Sequence, residues 1–191
     1  AYTAGIYYDT RDYRLNPLSG RHYTLSLEKA FRLTSLSLDY TKVVASAVHF
    51  FPTFKNQTIA FRVMGGQLYA EDRLKDSELF FVGGPGTVRG YEGYPNSFAY
   101  GKQMLVSNLE YRFVFNDSFT AMLFVDAGWA TTVRTENRDR TFSDSDDKVE
   151  DAKIGKGLSF LLFSPLGPLR LDFAWDERSD FQMDFSFGQM F

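Results

Sequence analysis

The fold is decided by Phe181-Gln182-Met183-Asp184-Phe185-Ser186-Phe187, read with the stretch before it, Leu169-Arg170-Leu171-Asp172-Phe173-Ala174-Trp175. In both, large apolar residues take one parity and polar or small residues take the other. A strand separates such sets onto opposite faces, whereas a helix would mix them. Phe191 falls on the same parity as Phe181, Phe185 and Phe187, with Gly188 on the other.

The same alternation recurs upstream. Leu105, Leu109, Tyr111, Phe113 and Phe115 oppose Asn108, Glu110 and Arg112, and Phe119, Ala121, Leu123, Val125 and Trp129 oppose Thr120, Asp126 and Gly128. Weaker alternation predicts strands near 2–11, 21–31, 36–51, 56–70 and 153–164, and around Lys42 to Ser46 it leaves the register open.

Composition says what kind of sheet this is. Phe and Tyr number 20 and 11, aromatic residues make up 17% of the 191-residue chain, and the hydrophobic share is an ordinary 44%. No apolar run approaches the roughly 18 residues of a helical span, whereas a barrel strand crosses a membrane in about 9–11. Only alternate residues then face lipid, so the slightly negative mean hydropathy excludes helical spans and not a membrane. A soluble sandwich would alternate too, but with its apolar face inward. Against it stand Glu110, Asp126, Asp172 and Asp184 on the polar parity, which crowd poorly on an open sheet. The expectation is an all-β, transmembrane, antiparallel up-and-down β-barrel domain over 1–191, with eight or nine strands in this chain.

Connection lengths agree. Short turns are expected at Pro52–Asn56, Asn116–Ser118 and Ser164–Gly167, and long polar loops at about 71–101 and 133–152. Short periplasmic turns opposite long extracellular loops are the habit of transmembrane barrels, which puts Phe191 on the periplasmic side. Nine spans would then put Ala1 outside the cell. Either the first segment is not a span or the chain is cut from a larger barrel. No signal peptide is visible, in keeping with a mature chain or a fragment.

Three stretches resemble the BamA/TamA/FhaC superfamily of outer-membrane assembly and secretion proteins, the bacterial surface antigen family. They are Gly5-Ile6-Tyr7-Tyr8-Asp9-Thr10-Arg11-Asp12 with Asn16-Pro17-Leu18-Ser19-Gly20; Phe80-Phe81-Val82-Gly83-Gly84-Pro85-Gly86-Thr87-Val88-Arg89-Gly90-Tyr91; and Ser164-Pro165-Leu166-Gly167-Pro168-Leu169-Arg170-Leu171-Asp172-Phe173-Ala174. Order and spacing match over nearly the whole chain. The resemblance implies roughly the last nine strands of a sixteen-stranded barrel, without the family's periplasmic POTRA domains and without its first half.

It also implies a site. In that family the Val-Arg-Gly-Phe/Tyr loop folds back into the lumen and carboxylates of the two following strands hold its Arg. Carried over by motif position, Gly83, Gly84, Val88, Arg89, Gly90 and Tyr91 form the loop, and Glu110 and Asp126 receive Arg89. Both acids lie on the polar parity of their strands, so the residues agree with the resemblance here. Composition alone would leave Arg89 in a solvated external loop. A guanidinium offers paired planar donors that a Lys lacks, and the glycines let the loop bend and approach the wall.

Phe185, Phe187 and Phe191 resemble the C-terminal assembly signal of outer-membrane barrels, which a receptor reads by edge pairing and side-chain spacing. As lipid-facing aromatics they also serve any such barrel.

Other signals are declined. Gly84-Pro85-Gly86 lacks the third glycine at the dinucleotide spacing and no G-K-[ST] follows. Asp144, Asp146, Asp147, Glu150 and Asp151 form an acidic patch without the glycine an EF-hand loop needs, and read as a solvated loop. His22 and His49 lie on separate segments in no triad order, with His22 read as lumenal or interfacial. There is no Cys, and a net charge of -3 offers no basic field for nucleic acid. No enzyme, cofactor or metal is expected. The expected role is outer-membrane protein insertion, assembly or polypeptide translocation in the bacterial outer membrane, the alternative a minimal structural or pore-forming barrel. Expected partners are the lipid bilayer, assembly machinery, unfolded outer-membrane or secreted polypeptides, and a second copy through open strand edges.

Overall fold

The structure is a computed structural model that describes residues 1–31, 39–70, 76–93, 96–97, 99–132, 148–149, 151–165, 167–188 and 190–191. Its strands in chain order are β1 (Tyr2–Asp9), β2 (Gly20–Ala30), β3 (Tyr40–Pro52), β4 (Gln57–Ala70), β5 (Phe80–Val82), β6 (Ala99–Gly101), β7 (Gln103–Asn116), β8 (Phe119–Thr132), β9 (Lys148–Val149), β10 (Lys153–Ser164), β11 (Gly167–Trp175) and β12 (Phe181–Phe187). One antiparallel sheet runs β1-β2-β3-β4-β7-β8-β10-β11-β12, with β9 beside β8. All nine expected strands are present. The sheet leaves β1 and β12 as its two edges, the form of a half-barrel.

Turn chemistry explains the tight end. In the β3–β4 turn Asn56 adopts φ 58, a left-handed position that Asn tolerates, and Thr53 N donates to Gln57 O at 3.1 Å. The β7–β8 turn closes as Ser118 N donates to Asn116 Oδ1 at 2.9 Å. At the β10–β11 turn Ser164 Oγ donates to Gly167 O at 2.8 Å.

Register makes the sheet two-sided. On the outer face Leu109 pairs with Val125 and Tyr111 with Leu123, Leu123 with Leu158, Leu158 with Phe173 and Phe173 with Met183. Outward side chains stay open: Leu109 is 45% and Phe187 72% exposed. On the concave face Asn108, Glu110, Asp126 and Asp172 are buried. Apolar residues thus face out and charged ones in, the reverse of a soluble sandwich.

The described part of 71–101, expected as a long polar loop, has an apolar interior. β5 pairs with β6, and Leu79, Phe80, Val82 and Val88 bury against Leu68, Met104 and Val106 of the concave wall. This settles the open register near Lys42. Val44 faces inward against that cluster while Lys42 Nζ donates to Glu78 O at 3.0 Å and sits 4.6 Å over the Phe80 ring.

Phe191 departs from its expected lipid-facing parity. Gly188 adopts φ 98 and ends the strand, and the Phe191 ring turns to the concave side against Val48, Phe50 and Ala60. An aromatic ring gains more by filling that apolar recess than by prolonging an edge strand past a left-handed residue. The acidic patch at Asp144, Asp146, Asp147 and Glu150 lies outside the described residues.

Candidate functional site

The hairpin tip is shaped by its own backbone. Gly84 adopts φ 90, a conformation costly for any residue with a Cβ. Gly84 N donates to Val88 O at 3.0 Å and Thr87 N to Gly84 O at 3.1 Å. The Thr87 hydroxyl donates to Gly83 O at 3.0 Å and accepts from Gly83 N at 2.8 Å. The turn so formed points Arg89 at the wall.

Arg89 is fully buried and every guanidinium nitrogen is used. Nε donates to Asp126 Oδ2 at 2.7 Å and Nη2 to Asp126 Oδ1 at 2.9 Å. Nη1 donates to Glu110 Oε1 at 2.9 Å and to Ser159 Oγ at 3.1 Å. Asp172 stands 3.7 Å from Nη1 and accepts from Ser159 Oγ. The guanidinium carbon lies 3.5 Å from the Phe124 ring centroid, a cation–π contact at a fully buried position.

The wall makes room for this. A Cβ on Gly155 would collide with the Arg89 carbonyl oxygen. One on Gly128 would lie 2.8 Å from Val88 Cγ2 and 2.9 Å from Val82 Cγ1, and one on Gly157 would lie 2.7 Å from Phe124 Cζ. Strand glycines of this kind mark close approach of another backbone or ring.

Of the residues expected at the loop, Gly83, Gly84 and Val88 lie in or beside the tip turn and Arg89 lies against Glu110 and Asp126. Tyr91 leaves the hairpin toward the long-loop end, where its hydroxyl donates to Ile154 O at 3.3 Å and accepts from Glu177 N at 3.4 Å. Gly90 takes φ 90 against the Trp175 backbone. Phe185 and Phe187 lie on the outer face, apart from this site, and Phe191 lies inside.

Six further residues complete the site and were not singled out as partners from sequence. Arg112 Nε donates to Glu110 Oε2 at 2.8 Å, so Glu110 is shared between two arginines. Arg170 Nε donates to Asp172 Oδ2 at 2.9 Å and its Nη2 to Pro85 O at 2.8 Å. Arg62 Nη2 donates to Gly86 O at 2.8 Å and Asn108 Nδ2 to Thr87 O at 2.7 Å. Ser159 and Asp172, already placed, complete the six, of which Arg170, Arg62 and Asn108 hold the tip carbonyls of Pro85, Gly86 and Thr87 in sequence. All six occupy the polar parity of their strands, the one sequence signal that marks them. Among the described buried side chains, Arg89, Arg112 and Arg170 pair with Glu110, Asp126 and Asp172, while Arg62 bonds neutral oxygens. The arrangement holds a peptide segment against the wall. Among the described residues no group of three metal-ligating side chains occurs.

Comparison with known proteins agrees with this architecture. The Omp85 superfamily domain matches residues 1–191. The chloroplastic outer envelope protein 39 of Arabidopsis thaliana is 28% identical over 161 residues, covering 80% of this chain and 40% of that protein. The crystal structure of BamA from Haemophilus ducreyi lacking POTRA domains 1-3 shares the fold with a TM-score of 0.72 at 18% identity, over 96% of this chain and 40% of that one. The chain thus spans 40% of the length of each. A nine-stranded sheet with its apolar face outward and an Arg-pinned hairpin on its concave side, matched end to end by the family's sequence pattern, belongs to the Omp85 superfamily of outer-membrane β-barrels.

Proposed function

We propose that this chain acts in the insertion and assembly of outer-membrane proteins, or in moving polypeptides across that membrane, in a bacterial outer membrane and without enzymatic chemistry. One observation carries the reading: among the described residues β12 pairs only with β11, and it borders the polar concave face with Gln182 and Ser186. An unpaired edge presents backbone donors and acceptors that template an incoming strand. The partners on this reading are lipid, unfolded polypeptides with an extended segment, the machinery that delivers them, and a second copy where no client is present.

The test is complementation. Expression in a strain depleted of its outer-membrane assembly barrel should restore barrel-protein levels in the outer membrane. A single cysteine placed at Gln182 should crosslink to an extended segment of a stalled client, and the absence of Cys from the sequence makes that crosslink unambiguous. Ion conductance in planar bilayers with no rescue and no crosslink would instead support the minimal pore.

A further inference from the structure

Arg62 differs from the other buried arginines in what holds it. Arg89, Arg112 and Arg170 each meet a carboxylate. Among the described residues no carboxylate lies within ion-pair distance of Arg62, which is only 5% exposed. Its three nitrogens go to neutral oxygens on three separate pieces of chain. Nε donates to Asn108 Oδ1 on the wall at 2.8 Å, Nη2 to Gly86 O at the hairpin tip at 2.8 Å, and Nη1 to Met190 O in the C-terminal tail at 3.1 Å. The Phe191 ring centroid lies 5.0 Å from the guanidinium carbon of Arg62 and 5.0 Å from that of Arg112. The ring also packs 6.5 Å from Phe50.

We infer that Arg62 couples the C-terminal tail to the motif hairpin, so that release of Met190–Phe191 from the concave face loosens the hairpin tip. The physical reason is the lack of a counter-ion. A buried guanidinium supported only by carbonyls depends on every one of them, because an unmet donor on a buried cation is costly. When the tail leaves, Nη1 loses its acceptor and the π face goes with it. The side chain then turns toward water, taking its hydrogen bonds from Gly86 and from Asn108, whose amide holds the Thr87 carbonyl. The tail follows directly on edge strand β12, so pairing events at that edge reach the hairpin through one side chain. This is independent of what the protein handles.

Hydrogen exchange of the protein in bilayers, followed by mass spectrometry, reads the coupling. Phe191→Ala should speed exchange of the tip amides of Gly84, Thr87 and Val88 by about tenfold, the loss of one hydrogen bond to a charged group, although Phe191 is not their hydrogen-bond partner. Phe185→Ala, on the outer face of β12, should leave them unchanged. In an Arg62→Lys background, where one ammonium cannot reach all three acceptors, Phe191→Ala should add no further effect. Two results would overturn the inference. One is unchanged tip protection in Phe191→Ala. The other is the same acceleration in the Arg62→Lys background, which would route the coupling through Arg112 and Glu110 instead.

Discussion

Arg89 and Asp126 form a two-pronged ion pair, with Nε–Oδ2 at 2.7 Å and Nη2–Oδ1 at 2.9 Å, and the main-chain N of Arg89 donates to the same Oδ2 at 3.1 Å. One carboxylate thus binds both the side chain and the backbone of the motif. Asp126→Asn keeps the shape and removes the charge, leaving a buried guanidinium short of one partner. Breaking a buried pair from one side costs about 3–5 kcal/mol. The variant should unfold at correspondingly lower urea concentration in detergent, and both it and Arg89→Ala should become sensitive to protease near 83–95. Arg89→Lys should not restore protection, since an ammonium cannot make both bonds; intact protection in Arg89→Ala would remove the pair's positioning role.

Wall glycines give a second, steric prediction. Gly155→Ala puts a methyl group into the Arg89 carbonyl, and overpacking of this kind costs about 1–3 kcal/mol. Gly65→Ala is the control, because a Cβ there meets nothing nearer than 3.8 Å. Thermal unfolding should separate the two, with Gly65→Ala at or slightly above the wild-type midpoint. Equal midpoints would mean the hairpin does not lie against β10.

The outer face makes a third. Leu109 and Val125, paired across the sheet, lie midway along the outward rows of β7 and β8, so Arg at either should destabilise folding into bilayers by about 2–4 kcal/mol. Ile154, close to the long-loop end of β10, should accept Lys for about 0–1 kcal/mol. A flat response along the strand would argue against a lipid depth gradient.

The last strand makes a fourth. Phe185 and Phe187 keep the alternating outward spacing of an assembly signal, while Phe191 anchors the tail inside. Deleting Phe191 should slow assembly in cells, as should Phe187→Ala. Pulse-chase conversion to the heat-modifiable form gives the rate, and wild-type kinetics in both variants would dismiss the signal.

Sequence carried the architecture because period-2 alternation depends on one face being apolar. Where that contrast was sharp, as from Leu105 to Phe115, the strand and its faces were legible. It failed from Lys42 to Ser46, where Val43 and Val44 are both apolar. Lipid claims the first and the buried hairpin the second, and only the tertiary partner tells them apart. Arg89, Glu110 and Asp126 were placed by resemblance, with parity in agreement. Arg62, Arg112 and Arg170 shared that parity, yet nothing local says that their acceptors are Gly86, Glu110 and Pro85. Phe191 escapes the alternation because a positive φ at Gly188 breaks it, and nothing in the period-2 pattern marks that break.

Lipid accessibility of single spin labels in bilayers tests the two-faced sheet most directly, and the absence of native Cys makes each label unique. Labels at Leu25, Leu27, Met183 and Phe185 should be relaxed by dissolved oxygen, while labels at Thr24, Ser26 and Gln182 should respond to a water-soluble nickel complex. Uniform oxygen accessibility at all seven positions, or the opposite alternation, would contradict an apolar outer face around a polar interior.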